Sequence, residues 1–359
     1  MSNPDSFPHP FLCKESSWEK NPNPIWLGST VTLSRNLEKL NFPGKLATDK
    51  KKQIISLISK DLISSSHLKN PKLILAEEMP PIEKEFLVEH FLSEQGFNQT
   101  HIGEAFLLDD SGEFLAVINL QDHLFLHLLD VNEELEASWN QLIKIESQLN
   151  QSLNFAFSPK FGFLTSDPTQ CGTALIVHVF LHLPALLYTD RLDDIVKKSQ
   201  EEGIQYSGLQ GNPTELIGDI VSFRNRYTLG LSEENILSSL RTLATKLVVE
   251  EKGVRQHLKN ENENELAVIK DKVSRAYAIL LHSYQIEAVE ALESLSLLKL
   301  GLDLEWLKGI TQSELNKLLF STRRGHLHCH YNQIITLDKF PHLRAEFIHQ
   351  ALKNVELLI

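Results

Sequence analysis

The sequence predicts an α+β chain, an antiparallel β-sheet flanked by helices and followed by an all-α C-terminal region. Three observations carry this. Three short apolar segments, Ala105 to Leu108, Phe114 to Asn119 and His123 to Leu129, follow one another with turn residues such as Asp109, Asp110, Ser111 and Gly112 between the first two, the pattern of an antiparallel meander. Further strand-like segments run from Ala174 to Leu183 and from Ile217 to Tyr227. From Ser232 onward the apolar residues recur with a helical period almost to the end of the chain.

Residues 1–24, rich in Asn, Pro and Ser, read as an irregular arm. Lys50 to Ser65 places Ile54, Ile55, Leu57, Ile58, Leu62 and Ile63 at helical spacing. Val131 to Asn150 reads as a helix and Leu192 to Glu202 as a shorter one, and the polar, Gly-containing stretch Gly203 to Thr214 reads as a loop. Ser232 is placed to cap a long helix reaching about Lys259. The polar run from Glu261 to Glu265 then reads as a solvated linker, which sets a domain boundary near 255–265. Helical periods follow over about Glu265 to His282, Ile286 to Leu300, Thr311 to Leu319 and Pro341 to Leu358.

The 359 residues are enough for two domains, and an apolar fraction of 42% supports ordinary cores. A formal charge of −12 argues against a nucleic-acid-binding body. Cys13, Cys171 and Cys329 are few, odd in number and far apart, so a disulfide framework is not expected and a reducing cytoplasm fits. The first residues lack a basic-then-apolar leader, and no apolar run approaches the roughly 20 residues that span a bilayer.

Two strands carry an unusual second face. Leu124, Leu126 and Leu128 alternate with His123, Phe125 and His127. Leu175, Val177, Val179, Leu181 and Leu183 alternate with Ile176, His178, Phe180 and His182. The leucine and valine faces belong to a core; the others are expected to line a cleft or pack under a helix. Histidines on such a face either make ordinary hydrogen bonds or gather a metal, and the lack of acidic or Cys partners at ligand spacing favours the first. His326, His328, Cys329 and His330 form a second short tract, read as packing or partner contact before zinc.

Several segments together resemble the ATP:guanidino phosphotransferase (phosphagen kinase) family. Ile25 to Asn36 is similar to its SxRxRLARN motif, and Asn41-Phe42-Pro43 to the FP that follows. Asn119 to His123 resembles NEEDH. Phe161 to Thr165, Pro168-Thr169, Gly172-Thr173 and His182 to Leu186 resemble LGYLTxCPTNxGTGLRASVxxHLPAL. Asn225, Thr228 to Gly230 and Ser232 to Glu234 resemble SNQVTLGxSEEE. The similarity runs in order from about residue 24 to the C-terminus and points to the bacterial protein-arginine kinase branch. It implies the guanidino-kinase catalytic fold over 25–258 and a helical dimerisation and regulatory domain over 259–359. It also implies a homodimer through the C-terminal helices, a zinc-binding activator-like partner and a Clp-type protease system.

The resemblance also assigns site positions. The family's phosphate-clamp arginines fall on Thr30, Thr32, Phe125, Ile176 and, approximately, Ser207. The two glutamates of NEEDH fall on Leu120 and Gln121, that of the later RGxxGE loop on Asn212, and the Cys of CPT on Asp167. The C-terminal phosphoarginine-pocket motif RDxxRA keeps only Arg344 and Ala345. Phosphoryl transfer needs cationic donors and Mg²⁺ around the triphosphate and a carboxylate to orient the guanidinium. The expected function is therefore a pseudokinase, an interaction or regulatory scaffold with no cofactor. One alternative is a divergent active protein-arginine kinase using Mg-ATP with a clamp relocated to Lys160, Arg224 or Arg226. The other is a metal-dependent enzyme built on the cleft histidines.

Overall fold

A computed structural model describes residues 17–93, 96–97, 101–201, 203–209, 211–260, 263–331, 333 and 335–359. In chain order the first part comprises β1 (Trp26–Arg35), α1 (Thr48–Ile63), β2 (Lys72–Leu75), α2 (Pro81–Phe91), β3 (Ala105–Leu108), β4 (Phe114–Ile118), β5 (Leu124–Asp130) and α3 (Leu135–Leu149). There follow the short strands β6 (Phe157–Ser158) and β7 (Gly162–Phe163), then β8 (Leu175–His182), α4 (Pro184–Tyr188), α5 (Leu192–Glu201), β9 (Ile204–Gly208) and β10 (Ile220–Asn225). The remainder is helical apart from one small ribbon: α6 (Glu233–Asn260), α7 (Glu263–His282), α8 (Ala288–Asp303), β11 (Leu307–Lys308), α9 (Gln312–Ser321), α10 (Arg324–Tyr331), α11 (Phe340–Leu352) and β12 (Glu356–Leu357).

Eight strands form one sheet in the order β2-β3-β4-β5-β1-β8-β10-β9, and every pairing is antiparallel. The meander foreseen in the sequence is β3-β4-β5. The centre of the sheet is β1, whose alternation of Thr30, Thr32 and Ser34 with Val31 and Leu33 gives it one polar and one apolar face. Register pairs Val31 with Leu128 and Val177, and Leu33 with Leu126 and Leu175, so one sheet face is a continuous apolar layer. Helices α1, α3 and α6 cover it. Each fully buried Leu or Val there contributes about 1.5–3 kcal/mol of transfer free energy.

Several boundaries differ from the sequence expectation. Gly203 to Thr214 is not all loop: Ile204–Gly208 pairs with β10 as an edge strand, a role that needs backbone pairing and little apolar pattern. The strand foreseen from Ile217 starts at Ile220, because Gly218 and Asp219 take positive φ. The helix foreseen from Val131 starts at Leu135, after a turn in which Asp130 accepts from the Asn132 amide at 2.8 Å. The last helix stops at Leu352, and the chain returns as β12 to pair with β11. Of the N-terminal arm, residues 1–16 lie outside the described residues; Trp18 just beyond them is buried, stacked on Phe320 at 3.7 Å. The foreseen Glu261 to Glu265 linker lies partly outside the described residues, and α7 already begins at Glu263.

The helical part is tied to the sheet by buried polar groups. Glu251 on α6 accepts from the Ala185 and Leu186 amides at the start of α4 (3.0 and 2.9 Å) and from Arg255 Nε at 2.7 Å. Arg255 also donates to the His182 carbonyl at the end of β8 (3.2 Å). On α8, Ser296 donates to Asp219 (2.5 Å) and meets His182 Nε2 (2.7 Å). A second tie joins α2 to α10: Glu89 accepts from the Gly325 amide (2.9 Å) and Arg324 pairs with Glu85. Gly325 sits against α2 so closely that a Cβ there would lie 2.6 Å from Phe86 backbone atoms.

Candidate functional site

The second face of the sheet is a polar and aromatic floor. Ser34, Thr32 and Thr30 line up along β1. Across β5, Phe125 lies opposite Ser34 and His127 opposite Thr32; across β8, Ile176 lies opposite Thr32 and His178 opposite Thr30. Arg224 on β10 extends the Thr30–His178 row. Period-two geometry thus sets a stripe of hydroxyls between two ring-bearing strands. The rings of Phe125 and His127 run parallel at 5.9 Å between centroids, as do those of His178 and Phe180.

This floor is the base of a pocket of about 240 Å³. The segment after α2 supplies one wall with Leu92, Ser93 and Gly96, and Gln121, Asp167 and Gln170 supply another. Leu92 holds a left-handed conformation (φ 49°) that ends α2 at the rim. On the other side, Gly172 (φ +113°) is pressed against the chain at Thr228: a Cβ would lie 2.3 Å from the Thr228 carbonyl oxygen. No side chain but hydrogen fits there, which lets the loop carrying Asp167 and Gln170 close down over the sheet.

Both pocket histidines are neutral near pH 7. Burial pulls His127 down to about 4, with a small addition from nearby His178. Burial and then the Arg224 charge pull His178 down to about 3. His127 Nε2–H donates to the Phe91 carbonyl at 2.8 Å, which leaves Nδ1 to accept the Thr32 hydroxyl at 2.9 Å. His178 Nδ1 lies 3.2 Å from the Ser222 hydroxyl. Thr30 Oγ1, on a residue only 1% exposed, has no hydrogen-bond partner. Asp167 is held below its usual range by the Thr169 hydroxyl and amide, which its Oδ1 accepts at 2.7 and 2.9 Å. Its carboxylate is charged but already engaged in capping its own turn.

The structure gathers six of the positions singled out in the sequence in this one pocket: Thr30, Thr32, Gln121, Phe125, Asp167 and Ile176. Three others lie elsewhere. Ser207 shares the sheet face but stands on edge strand β9 in the neighbouring row, opposite Ser222. Asn212 closes the turn after β9, accepting from Thr214 N and Oγ1 at 3.1 and 2.9 Å. Leu120 packs partly buried against the core. Of the three cations named as a relocated clamp, Arg224 lines the pocket, whereas Lys160 and Arg226 are exposed and lie over the rings of Phe161 and Tyr227. Arg35 is a buried strut, paired with Glu146 at 2.9 Å and lying 3.5 Å over the Phe163 ring.

The histidines divide. His127 and His178 face the pocket, but His123 accepts from the Leu37 amide (3.0 Å) and bonds the Asn41 carbonyl (2.9 Å), and His182 joins the Ser296 contact below α8. On α10, His326 Nδ1 faces Glu89 at 3.3 Å and His330 packs its ring on Phe347. Among the described residues no group of three or more His, Cys, Asp or Glu is placed to hold a metal ion. Arg344 donates to the Thr322 and Ile286 carbonyls at 2.8 and 2.7 Å, and Ala345 beside it is buried. Sequence reading missed Leu92, Ser93 and Gly96, which follow a helix whose buried Glu83 and Lys84 hide its pattern.

Comparison with known proteins finds two family profiles. Residues 53–254 match the ATP:guanido phosphotransferase C-terminal catalytic domain, and residues 266–357 match the protein-arginine kinase McsB C-terminal domain. A protein-arginine kinase of Chlamydia pneumoniae is 37% identical over 338 residues, covering 93% of each chain. One of Halothermothrix orenii is 31% identical over 340 residues, covering 94% of this chain and 96% of its own. Among solved structures, a lombricine kinase superposes with a TM-score of 0.57 at 20% identity over 72% of this chain and 74% of that one. A duplicated taurocyamine kinase of Schistosoma mansoni gives 0.57 at 23% over 74% of this chain and 39% of that longer one. No helix among the described residues is long and apolar enough to cross a membrane.

Proposed function

We infer a function from one premise: this chain belongs to the ATP:guanido phosphotransferase family. Within it, we propose that the chain is a pseudokinase of the protein-arginine kinase branch, a kinase fold serving as a cytoplasmic interaction or regulatory scaffold. The observation that carries the reading is the composition of the pocket floor. Thr30, Thr32, Phe125 and Ile176, four positions that the resemblance assigns to the phosphate clamp, stand together around one pocket and carry no charge. Loss of a single transition-state donor typically costs about 10²–10³ in rate. Neutral His127 and His178 do not replace the arginines, and Gln121 stands where a carboxylate would orient a guanidinium.

The test is transfer of radiolabelled phosphate from ATP to a protein substrate, with a zinc-binding activator-like protein present. No labelling above a heat-killed control is expected. Robust labelling that Gln121→Ala abolishes would sink the reading.

A second reading, an active protein-arginine kinase transferring the ATP γ-phosphate to protein arginines, is favoured by descent. Relatives that cover more than nine-tenths of the chain carry that name. Arg224 and Asp167 supply one cation and one carboxylate in the pocket. Calorimetry separates the two readings, since micromolar Mg-ATP affinity supports the active enzyme. On the same resemblance we propose a phosphotransferase domain over 25–258 and homodimerisation through the helices of 259–359. A monomer by light scattering at micromolar concentration counts against the dimer. A Clp-type protease system is the proposed setting.

A further inference from the structure

We propose that the outer side of the pocket rim is a docking surface for a short acidic segment of a partner protein, one that sets carboxylates beside aromatic or leucine side chains. The inference goes beyond the pseudokinase reading and holds whether or not the pocket transfers phosphate.

Two glycines assemble this surface. Strands β6 and β7 form a small hairpin, and Gly162 in it approaches the rim loop so closely that a Cβ would lie 2.5 Å from the Gly172 carbonyl oxygen. Gly172 in turn is pressed on the backbone of Thr228 and Leu229. Three segments thus meet backbone against backbone, which sets the hairpin beside the loop that follows β10. Phe157 and Phe161 on the hairpin, and Tyr227, Leu229 and Leu231 on the loop, are each 42–58% exposed. A contiguous apolar patch of this kind, on the order of a few hundred Å², is often functional.

Charge and area choose the occupant. Lys160 lies over the Phe161 ring at 5.1 Å and Arg226 over the Tyr227 ring at 5.2 Å. Among the described residues neither makes an ion pair, in a chain whose formal charge is −12. The acids that follow in sequence, Glu233 and Glu234, begin α6 beyond Leu231, and the charge of Glu233 acts on Arg35. Asp167 on the rim loop caps its own turn. Two unpaired cations laid on aromatic rings attract carboxylates and repel basic segments. The apolar area falls below the roughly 800 Å² per partner of a standard interface between folded proteins, so it suits an extended segment before a second copy of this chain. Anionic membranes are held by clusters of roughly four to eight basic residues, and two do not make such a cluster.

The experiment uses the full chain and two short fluorescein-labelled peptides read by fluorescence anisotropy. One alternates glutamate with phenylalanine and leucine; the other has every glutamate replaced by glutamine. The acidic peptide is expected to bind at least about tenfold more tightly, and the preference to shrink as sodium chloride rises from about 50 to about 500 mM. Lys160→Glu together with Arg226→Glu removes the preference. Phe161→Ser or Leu229→Ser weakens both peptides by about tenfold or more. All four side chains are exposed, so these variants keep the parent's unfolding midpoint, which thermal unfolding checks. Equal binding of the two peptides, no binding of either, or unchanged affinity in the charge-reversed variant overturns the proposal. Self-association that Phe161→Ser disrupts also overturns it, and assigns the patch to a second copy of the chain. Capture by phosphatidylserine vesicles that the charge reversal abolishes overturns it in favour of a membrane surface.

Discussion

Thr32 and His127 face each other across the β1–β5 ladder, and the threonine hydroxyl donates to imidazole Nδ1 at 2.9 Å. The other imidazole nitrogen donates to the Phe91 carbonyl, so the central strand, its neighbour and the end of α2 are joined by one two-bond relay. Thr32→Val keeps the shape and removes the donor, leaving a buried nitrogen unsatisfied. A loss of about 1–3 kcal/mol is expected in urea unfolding. An unchanged midpoint would show that the relay contributes nothing.

Stability should fall as the solution is acidified below neutrality. His90, His127 and His178 are held by burial at about 3, 4 and 3. In the unfolded chain each takes up a proton near 6.5, whereas the folded protein resists until the lower values. The stabilisation is therefore complete above about 6.5 and is lost on the way down, each group contributing about 1.4 kcal/mol per pH unit. Asp130, raised by burial to about 6, acts oppositely between 6 and 3.8, and Glu89 and Asp219, also raised by burial, act in the same sense as Asp130. His123, His182, His326, His328 and His330, all lowered by burial, add to the first three and outnumber these carboxylates. Unfolding free energies at pH 7, 6 and 5 check the sign; a rise on acidification would contradict it.

Glu251→Ala should be among the most damaging changes outside the pocket. It strips the Ala185 and Leu186 amides of their acceptor and leaves Arg255 buried without its nearest carboxylate. Removing one member of a buried pair typically costs 3–5 kcal/mol. The double change Glu251→Gln with Arg255→Met should recover part of the loss, and denaturant unfolding of the three proteins reads this directly.

Gly172→Ala tests the rim. The added Cβ meets the Thr228 carbonyl at 2.3 Å in a backbone conformation that side chains rarely adopt. A destabilisation above about 1 kcal/mol is expected. Faster amide exchange in the loop bearing Asp167 and Gln170 should accompany it. Protection identical to that of the parent protein would count against the close approach.

Much of this site was legible because a strand's period is two. The alternation in His123 to Leu129 and Ala174 to Leu183 separates core from cleft residues, and Phe125, His127, Ile176 and His178 do line the pocket. The same reasoning overreached at His123 and His182, where neighbouring loops and α8 cover the strand ends and engage the rings. Strand β1 carries the same period-two signal, Thr30, Thr32 and Ser34 alternating with Val31 and Leu33, yet the sequence reading took this segment only as a motif. Helix α2 was missed because its buried positions include Glu83, Lys84 and His90, which interrupt any apolar stripe. Strand β9 was missed because an edge strand of Gln, Tyr, Ser and Gly needs only a partner's backbone.

Gly325 has a mechanical consequence. Where it meets Phe86 the two helix backbones touch directly, with the Glu89 carboxylate beside them on the Gly325 amide. A side chain can change rotamer to absorb a displacement, whereas backbone in direct contact with backbone has no such freedom at that point. Since α2 ends at Phe91, whose carbonyl holds His127, the position of α10 against α2 and the position of the pocket rim are fixed by the two ends of one helix.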